Sequence, residues 1–131
     1  MIGKKILIID DEPAIHRLLK VILEVEGFQI VGPEEHQKAR KSIASGKPDV
    51  IILDIMMPEV DGFEILKMLK GDQETRHIPV IVLTVRSLKE DIEKAASLGA
   101  DCYMTKPFEP SKIVEAVHAV LSGQGAGQHA G

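Results

Sequence analysis

Asp49-Val50-Ile51-Ile52-Leu53-Asp54-Ile55-Met56-Met57-Pro58 sets four apolar residues in front of a carboxylate and a proline-marked loop behind it. A run that is apolar at every position suits a strand buried on both faces, as in a parallel sheet. An acid at the end of such a strand sits on the rim where open α/β sheets carry their ligands. Ile6-Leu7-Ile8-Ile9 repeats the pattern and ends in Asp10-Asp11. Side by side in one sheet, the two runs bring three carboxylates to the same edge, a set that favours a divalent cation.

Outward from these runs, strand-like segments alternate with segments of helical period. Lys5 to Asp10 precedes a helix with the stripe Ile15, Leu18, Leu19, Ile22 and Leu23, opened by Pro13 and stopped by Gly27. Phe28 to Val31 reads as the second strand, and Glu34 to Ser45 as a polar helix. After the third strand, Asp49 to Leu53, the stripe Phe63, Ile65, Leu66, Met68 and Leu69 predicts a helix ending at Gly71. Val80 to Leu83 and Cys102 to Met104 complete the strands, separated by a helix from Leu88 to Leu98. A last helix starts at Pro110 and carries Ile113, Val114, Val117, Val120 and Leu121. Five strands and five helices in alternation predict an α/β doubly wound parallel sheet with right-handed crossovers. Residues 3–121 then form one domain, and the glycine-rich Ser122 to Gly131 a flexible tail or linker stub.

Composition narrows the function. With 131 residues, 44% hydrophobic, 27% charged and a net charge of -4, the chain has the balance of a soluble domain and no electrostatic case for direct nucleic-acid binding. No apolar stretch approaches the roughly 20 residues of a bilayer span, so membrane insertion is not expected. A single cysteine, Cys102, and no signal-like opening suit the cytoplasm. Cys102 reads as a small buried hydrophobe. His16, His36, His77, His118 and His129 lack zinc-ligand spacing and read as surface or boundary residues. Met56, Met57, Met68 and Met104 read as packing or loop residues.

In a doubly wound sheet the strand C-termini share one edge, so Asp10, Asp11, Asp54, Thr84 and the Lys106 segment meet there. The pieces Ile9-Asp10-Asp11-Glu12, Leu53-Asp54, Met57-Pro58-x-x-Asp61-Gly62, Leu83-Thr84 and Lys106-Pro107-Phe108 resemble, in order and spacing, the response-regulator receiver domain of two-component signal transduction, of the chemotaxis-regulator type. The resemblance covers nearly everything from Lys5 to Leu121. It implies a flavodoxin-like sheet of order 2-1-3-4-5 and Asp54 as phosphoacceptor from a sensor histidine kinase, a phosphotransfer protein or a small phosphodonor. It implies Mg2+ held directly by Asp11, Asp54 and the Met56 backbone carbonyl and mostly through water by Asp10. Lys106, aimed by a cis peptide bond to Pro107, approaches the phosphoryl oxygens.

By the same resemblance Thr84 and Tyr103 form the switch. Phosphorylation adds about -1.5 to -2 charge with three acceptor oxygens, enough to draw in the Thr84 hydroxyl. Tyr103 fills the vacated space, and the face of the Leu88–Leu98 helix, the Cys102–Met104 strand and the last helix changes for a protein partner, an attached output domain or a second copy of the chain. Receivers are phosphoacceptor signalling domains, not enzymes beyond their own phosphorylation and dephosphorylation. Val85 and Met56 stand where the family commonly has small and polar residues, which predicts a long-lived phospho-Asp54.

Each residue alone has a plainer reading. Asp10-Asp11 serves equally as a solvated strand end with a capping acid; Thr84 suits any strand; Lys106 suits any surface; Asp61-Gly62 suits a turn or cap. A degenerate receiver, acting as a phosphorylation-independent binding module, is the alternative function. A haloacid-dehalogenase-type phosphatase needs an acid two residues after its nucleophile, where this chain has Met56. Nucleotide binding lacks a glycine-rich loop after the first strand.

Overall fold

A computed structural model of the chain describes residues 3–31, 47–58 and 60–123 and the backbone of 128–129. Five of the six parallel strands of the sheet are β1 (Lys5–Ile9), β2 (Gln29–Val31), β3 (Val50–Leu53), then, after a small hairpin of β4 (Met56–Met57) and β5 (Val60–Asp61), β6 (Val80–Thr84) and β7 (Cys102–Thr105). Their spatial order is β2-β1-β3-β6-β7, the 2-1-3-4-5 order of a flavodoxin-like sheet. The described helices are α1 (Pro13–Val25), α2 (Gly62–Gly71), α3 (Lys89–Ser97) and α4 (Pro110–Leu121). The helix expected from Glu34 to Ser45 lies outside the described residues.

Every residue of β3 and β6 is buried, because side chains alternate between two covered faces. Leu7, Ile9, Ile51, Leu53, Val80 and Val82 pack with Phe63, Leu66 and Leu69 of α2 on one face. Ile6, Ile8, Val50, Ile52, Ile81 and Leu83 pack with Leu19 and Leu23 of α1 and with Ile113 and Val117 of α4 on the other.

Three local expectations change. On α1 the buried line is His16, Leu19 and Leu23, while Leu18 is 47% exposed. One helical position is about 100°, enough to turn Leu18 out and His16 in, so His16 is a core residue rather than a surface or boundary one. His77 and His118 are exposed, and the side chains of His36 and His129 lie outside the described residues. The segment after Asp54 folds as the β4/β5 hairpin where a plain loop was expected. In the tail, Gln128–His129 forms β8, parallel to Cys102–Tyr103; the edge of β7 offers unpaired backbone groups that such a strand satisfies.

At the edge of the sheet away from Asp54, α2 and β7 are tied by Lys70. Its ammonium donates to the Ile78 carbonyl (2.8 Å), the Arg76 carbonyl (3.3 Å) and Asp101 Oδ2 (2.9 Å). The same Asp101 oxygen accepts from the Val80 N–H at 2.8 Å, so the start of β6 and the start of β7 share one clasp.

Candidate functional site

Asp54 follows β3, Thr84 ends β6, and Lys106 comes directly after β7, so parallel pairing delivers all three to one edge. The Asp54 N–H donates to the Ile9 carbonyl at 2.9 Å, and the Lys106 N–H to the Thr84 carbonyl at 2.8 Å, extending the ladder past the strand ends. Behind Asp54 the chain must turn tightly into α2. A Cβ on Gly62 would lie 2.2 Å from the Ile55 Cα, so only glycine fits, and the Asp61 carboxylate caps the helix by accepting from the Phe63 N–H at 2.9 Å.

The centre of the site is the Lys106 ammonium, whose side chain is only 7% exposed. It donates to Asp10 Oδ2 at 2.8 Å, Asp54 Oδ2 at 3.0 Å and Glu12 Oε1 at 3.1 Å. The second oxygens are held by backbone: Asp10 Oδ1 accepts from the Glu12 N–H (2.9 Å) and Asp54 Oδ1 from the Met56 N–H (2.8 Å). Lys106-Pro107 is a cis peptide, as the resemblance implied.

Of the sequence-selected acids, Asp10 and Asp54 are buried here together, whereas Asp11 is half-buried and outside the group. The third carboxylate is that of Glu12, with candidate ligand atoms of Asp10, Glu12 and Asp54 within 4.8 Å of one another. Glu12 stands in the motif Ile9-Asp10-Asp11-Glu12, which by itself assigns it no role. The signal was its i,i+2 spacing from Asp10, which the Glu12 N–H to Asp10 bond turns into proximity.

Three carboxylates against one ammonium leave a formal excess of two negative charges when all are ionised. Burial pushes the Asp10 carboxyl above the ordinary carboxylate range, and the Lys106 hydrogen bond offsets only part of that. Burial alone would lower Lys106, but its hydrogen bonds and charge contacts with Asp10 and Asp54 leave it well above an ordinary lysine. The lysine is thus a permanent cation. Two like charges about 4 Å apart repel by roughly 4 kcal/mol at an effective dielectric of about 20, so a further cation is electrostatically welcome. Oxygen-only donors of this kind fit Mg2+: Asp10, Glu12 and Asp54 stand close enough to share an ion, and Asp11 and the Met56 carbonyl, the ligands the resemblance implies, are candidates beside them.

Thr84 is fully buried, and its Oγ1 accepts from the Arg86 N–H at a long 3.4 Å. Tyr103, also buried, donates its hydroxyl to the Arg86 carbonyl at 2.8 Å. The Arg86 side chain reaches forward to Asp91 of α3, 2.9 Å from Nε to Oδ2. Burial, then the Asp91 charge, pushes the Tyr103 hydroxyl up to about 12. Val85 (60% exposed) and Met56 (43%) stand on the rim. Cys102 is buried as expected. Met57 and Met104 are core residues.

The chain is 41% identical over 127 residues to the phosphate regulon transcriptional regulatory protein PhoB of Pseudomonas aeruginosa, covering 97% of this chain and 56% of that one. It is 32% identical to the polar-differentiation response regulator DivK of Brucella anthropi, covering 90% of this chain and 96% of that one. The chain matches only about half the length of several of its curated relatives, PhoB among them. The solved signal receiver domain of a signal transduction histidine kinase from Syntrophus aciditrophicus superposes with a TM-score of 0.82 at 37% identity, covering 92% of each chain. The response regulator receiver domain model matches residues 6–118, most of this chain, so the chain belongs to that family.

Proposed function

We propose that Asp54 accepts a phosphoryl group, in a Mg2+-assisted transfer, from a sensor histidine kinase, a phosphotransfer protein or a small phosphodonor. The observation that carries this reading is the Asp54 carboxylate, buried at the strand edge and gripped by Lys106 at 3.0 Å beside Asp10. A carboxylate oxygen of Asp54 forms the new O–P bond as the donor's bond to phosphorus breaks and the leaving group departs with the electron pair. Bound Mg2+ supplies charge neutralisation and orientation of the phosphoryl oxygens. Lys106 holds one part of the phosphoryl charge, Met56 N–H fixes the Asp54 rotamer, and the Asp10 charge keeps the lysine in place.

The readout runs through Thr84 and Tyr103. When the Thr84 hydroxyl turns toward the phosphoryl group it gives up its weak bond with the Arg86 N–H, and the loop held by Tyr103 and Asp91 resettles. That loop opens α3, so the face of α3, β7 and α4 carries the signal to a protein partner, an attached output domain or a second copy. Receivers are signalling domains rather than classical enzymes, and the chemistry here stops at self-catalysed transfer and hydrolysis. On this reading residues 3–121 are the receiver unit and 122–131 a tail or linker stub. Leu18, Val21 and Val25 leave an exposed apolar line on α1, which begins at the phosphoacceptor edge and suits the docking of a phosphodonor protein. Among the described residues no helix is long and apolar enough to cross a membrane, and the cytoplasm is the compartment this phosphoacceptor reading implies.

Intact mass after incubation with acetyl phosphate and Mg2+ tests the proposal. A phosphate-sized gain in wild type, absent without Mg2+ and absent in Asp54→Asn, is expected. No gain from acetyl phosphate or from any of a panel of histidine kinases would favour the phosphorylation-independent binding module.

A further inference from the structure

We propose that the outer edge of β7 is a strand-docking slot filled by this chain's own Gln128–His129, and that β8 is thereby an edge guard, keeping a second copy of the chain off the α3/β7/α4 face. The role of that face as output surface rests on the phosphoacceptor reading; the contact itself does not.

A strand at the edge of a sheet presents unpaired N–H and C=O groups, a template on which another chain can add. β6 takes the inner side of β7. Tyr103 packs in the same layer as Ala95 of α3, and Cys102 and Met104 in that of Ile113 and Val117 of α4, so the outer edge opens between these two helices. Two identical edges can pair across a twofold axis, which makes a second copy the competitor for this slot.

α4 delivers β8 to that edge. The helix closes with the Ser122 N–H donating to the His118 carbonyl at 3.1 Å and the Gly123 N–H to the Val120 carbonyl at 3.2 Å. Gly123, at φ +81°, takes the left-handed turn that ends a helix. Residues 124–127 then lead to β8, whose register sets Gln128 beside Cys102 and His129 beside Tyr103. β7, α4 and β8 repeat the strand, helix, parallel-strand unit from which the rest of the sheet is built. The edge has one outer side, so β8 and a second copy exclude each other there. A short flexible linker holds its end at roughly millimolar effective concentration, above that of a second copy at micromolar. Each backbone hydrogen bond of the pair multiplies the docking equilibrium by only about 2 to 12. The slot is therefore filled yet releasable, and a competitor's affinity is reduced by the unfilled fraction.

The variant Gln128→Pro/His129→Pro, made in the full chain, removes the guard. Proline has no N–H and is barred from a paired strand interior, and two adjacent prolines cover whichever residue turns its N–H toward β7. Self-association measured by sedimentation should tighten about threefold or more, in the metal-free protein and again with beryllofluoride and Mg2+. Gln128→Ala/His129→Ala keeps the backbone donors and should match wild type. In NMR spectra taken with an inert gadolinium chelate, the outward amide of the Cys102–Tyr103 pair should be shielded in wild type and exposed in the proline variant. Equal self-association of wild type and proline variant, whether both pair or neither does, would overturn the proposal. So would unchanged amide exposure, or an alanine variant that behaves like the proline one. Beryllofluoride that fails to bind counts against the phosphoacceptor reading and leaves the metal-free comparison to decide the edge guard.

Discussion

Two shielded lysines sit at opposite edges of one sheet, and their surroundings separate stability from function. Lys70 meets one carboxylate and two carbonyls, so its charge is balanced one to one and its remaining donors are used by neutral oxygens. Lys106 meets three carboxylates, so its pocket keeps an excess of negative charge. The clasp at Lys70 is complete in itself. The pocket at Lys106 is complete only with further positive charge, which is how a binding site differs from a staple even when the hydrogen-bond distances are alike.

The same chemical change should therefore have opposite signs at the two places. Asp101→Asn takes the anion from Lys70 and disturbs the acceptor of the Val80 N–H. With the Lys70 and Asp101 side chains 15% and 27% exposed, the expected loss is about 2 to 3 kcal/mol of unfolding free energy, read from urea denaturation. A loss below about 0.5 kcal/mol would break the comparison by showing that the clasp is a surface pair.

Asp10→Asn is the counterpart and should raise stability by about 1 kcal/mol near pH 7 while impairing phosphorylation, the trade expected where a site is strained for function. Its pH dependence has a definite sign. The Asp10 carboxyl is raised above its ordinary 3.8 in the folded protein, so the folded state holds this proton more tightly than the unfolded chain. The stability this lends is full below about pH 4 and is lost as pH rises through the folded value. The advantage of Asp10→Asn over wild type should thus grow from about pH 4 to pH 7, in denaturation midpoints taken without Mg2+. An advantage that shrank over this range would mean that Lys106 outweighs burial at Asp10.

The two edges were unequally legible in the sequence. Asp54, Thr84 and Lys106 could be read because each ends a strand whose apolar run is unmistakable, and strand ends of a doubly wound sheet have only one edge to occupy. Glu12 was obscured because the chain turns after β1, and only the Asp10–Glu12 backbone bond brings its carboxylate inward. Asp11, adjacent in sequence and identical in type, stays outside the carboxylate group. Lys70 was invisible: on a helix it looks like any solvated cation, and its carboxylate partner lies 31 residues away. Ile15, Leu18, Leu19, Ile22 and Leu23 define a stripe broad enough to tilt either way, and packing tilts it so that His16 rather than Leu18 is buried. Histidine is of intermediate burial by type, so nothing in the composition flagged His16 as a core residue.

The smallest expected effect is the most discriminating. β7 joins the two sites, with Asp101 just before it and Lys106 just after it, about 16 Å apart at roughly 3.3 Å per residue. A rigid strand could pass a disturbance along, because Tyr103 lies between them and is bonded to the loop after Thr84. Yet the two clusters share no side chain among the described ion pairs, and the charge lost in each substitution is balanced locally. Changes this far apart without a common partner add to within about 0.5 kcal/mol. The double variant Asp10→Asn/Asp101→Asn should therefore show the sum of the single effects. A coupling above about 1 kcal/mol would mean that β7 transmits strain from the clasp to the pocket. The Lys70 edge would then belong to the switch rather than to the scaffold.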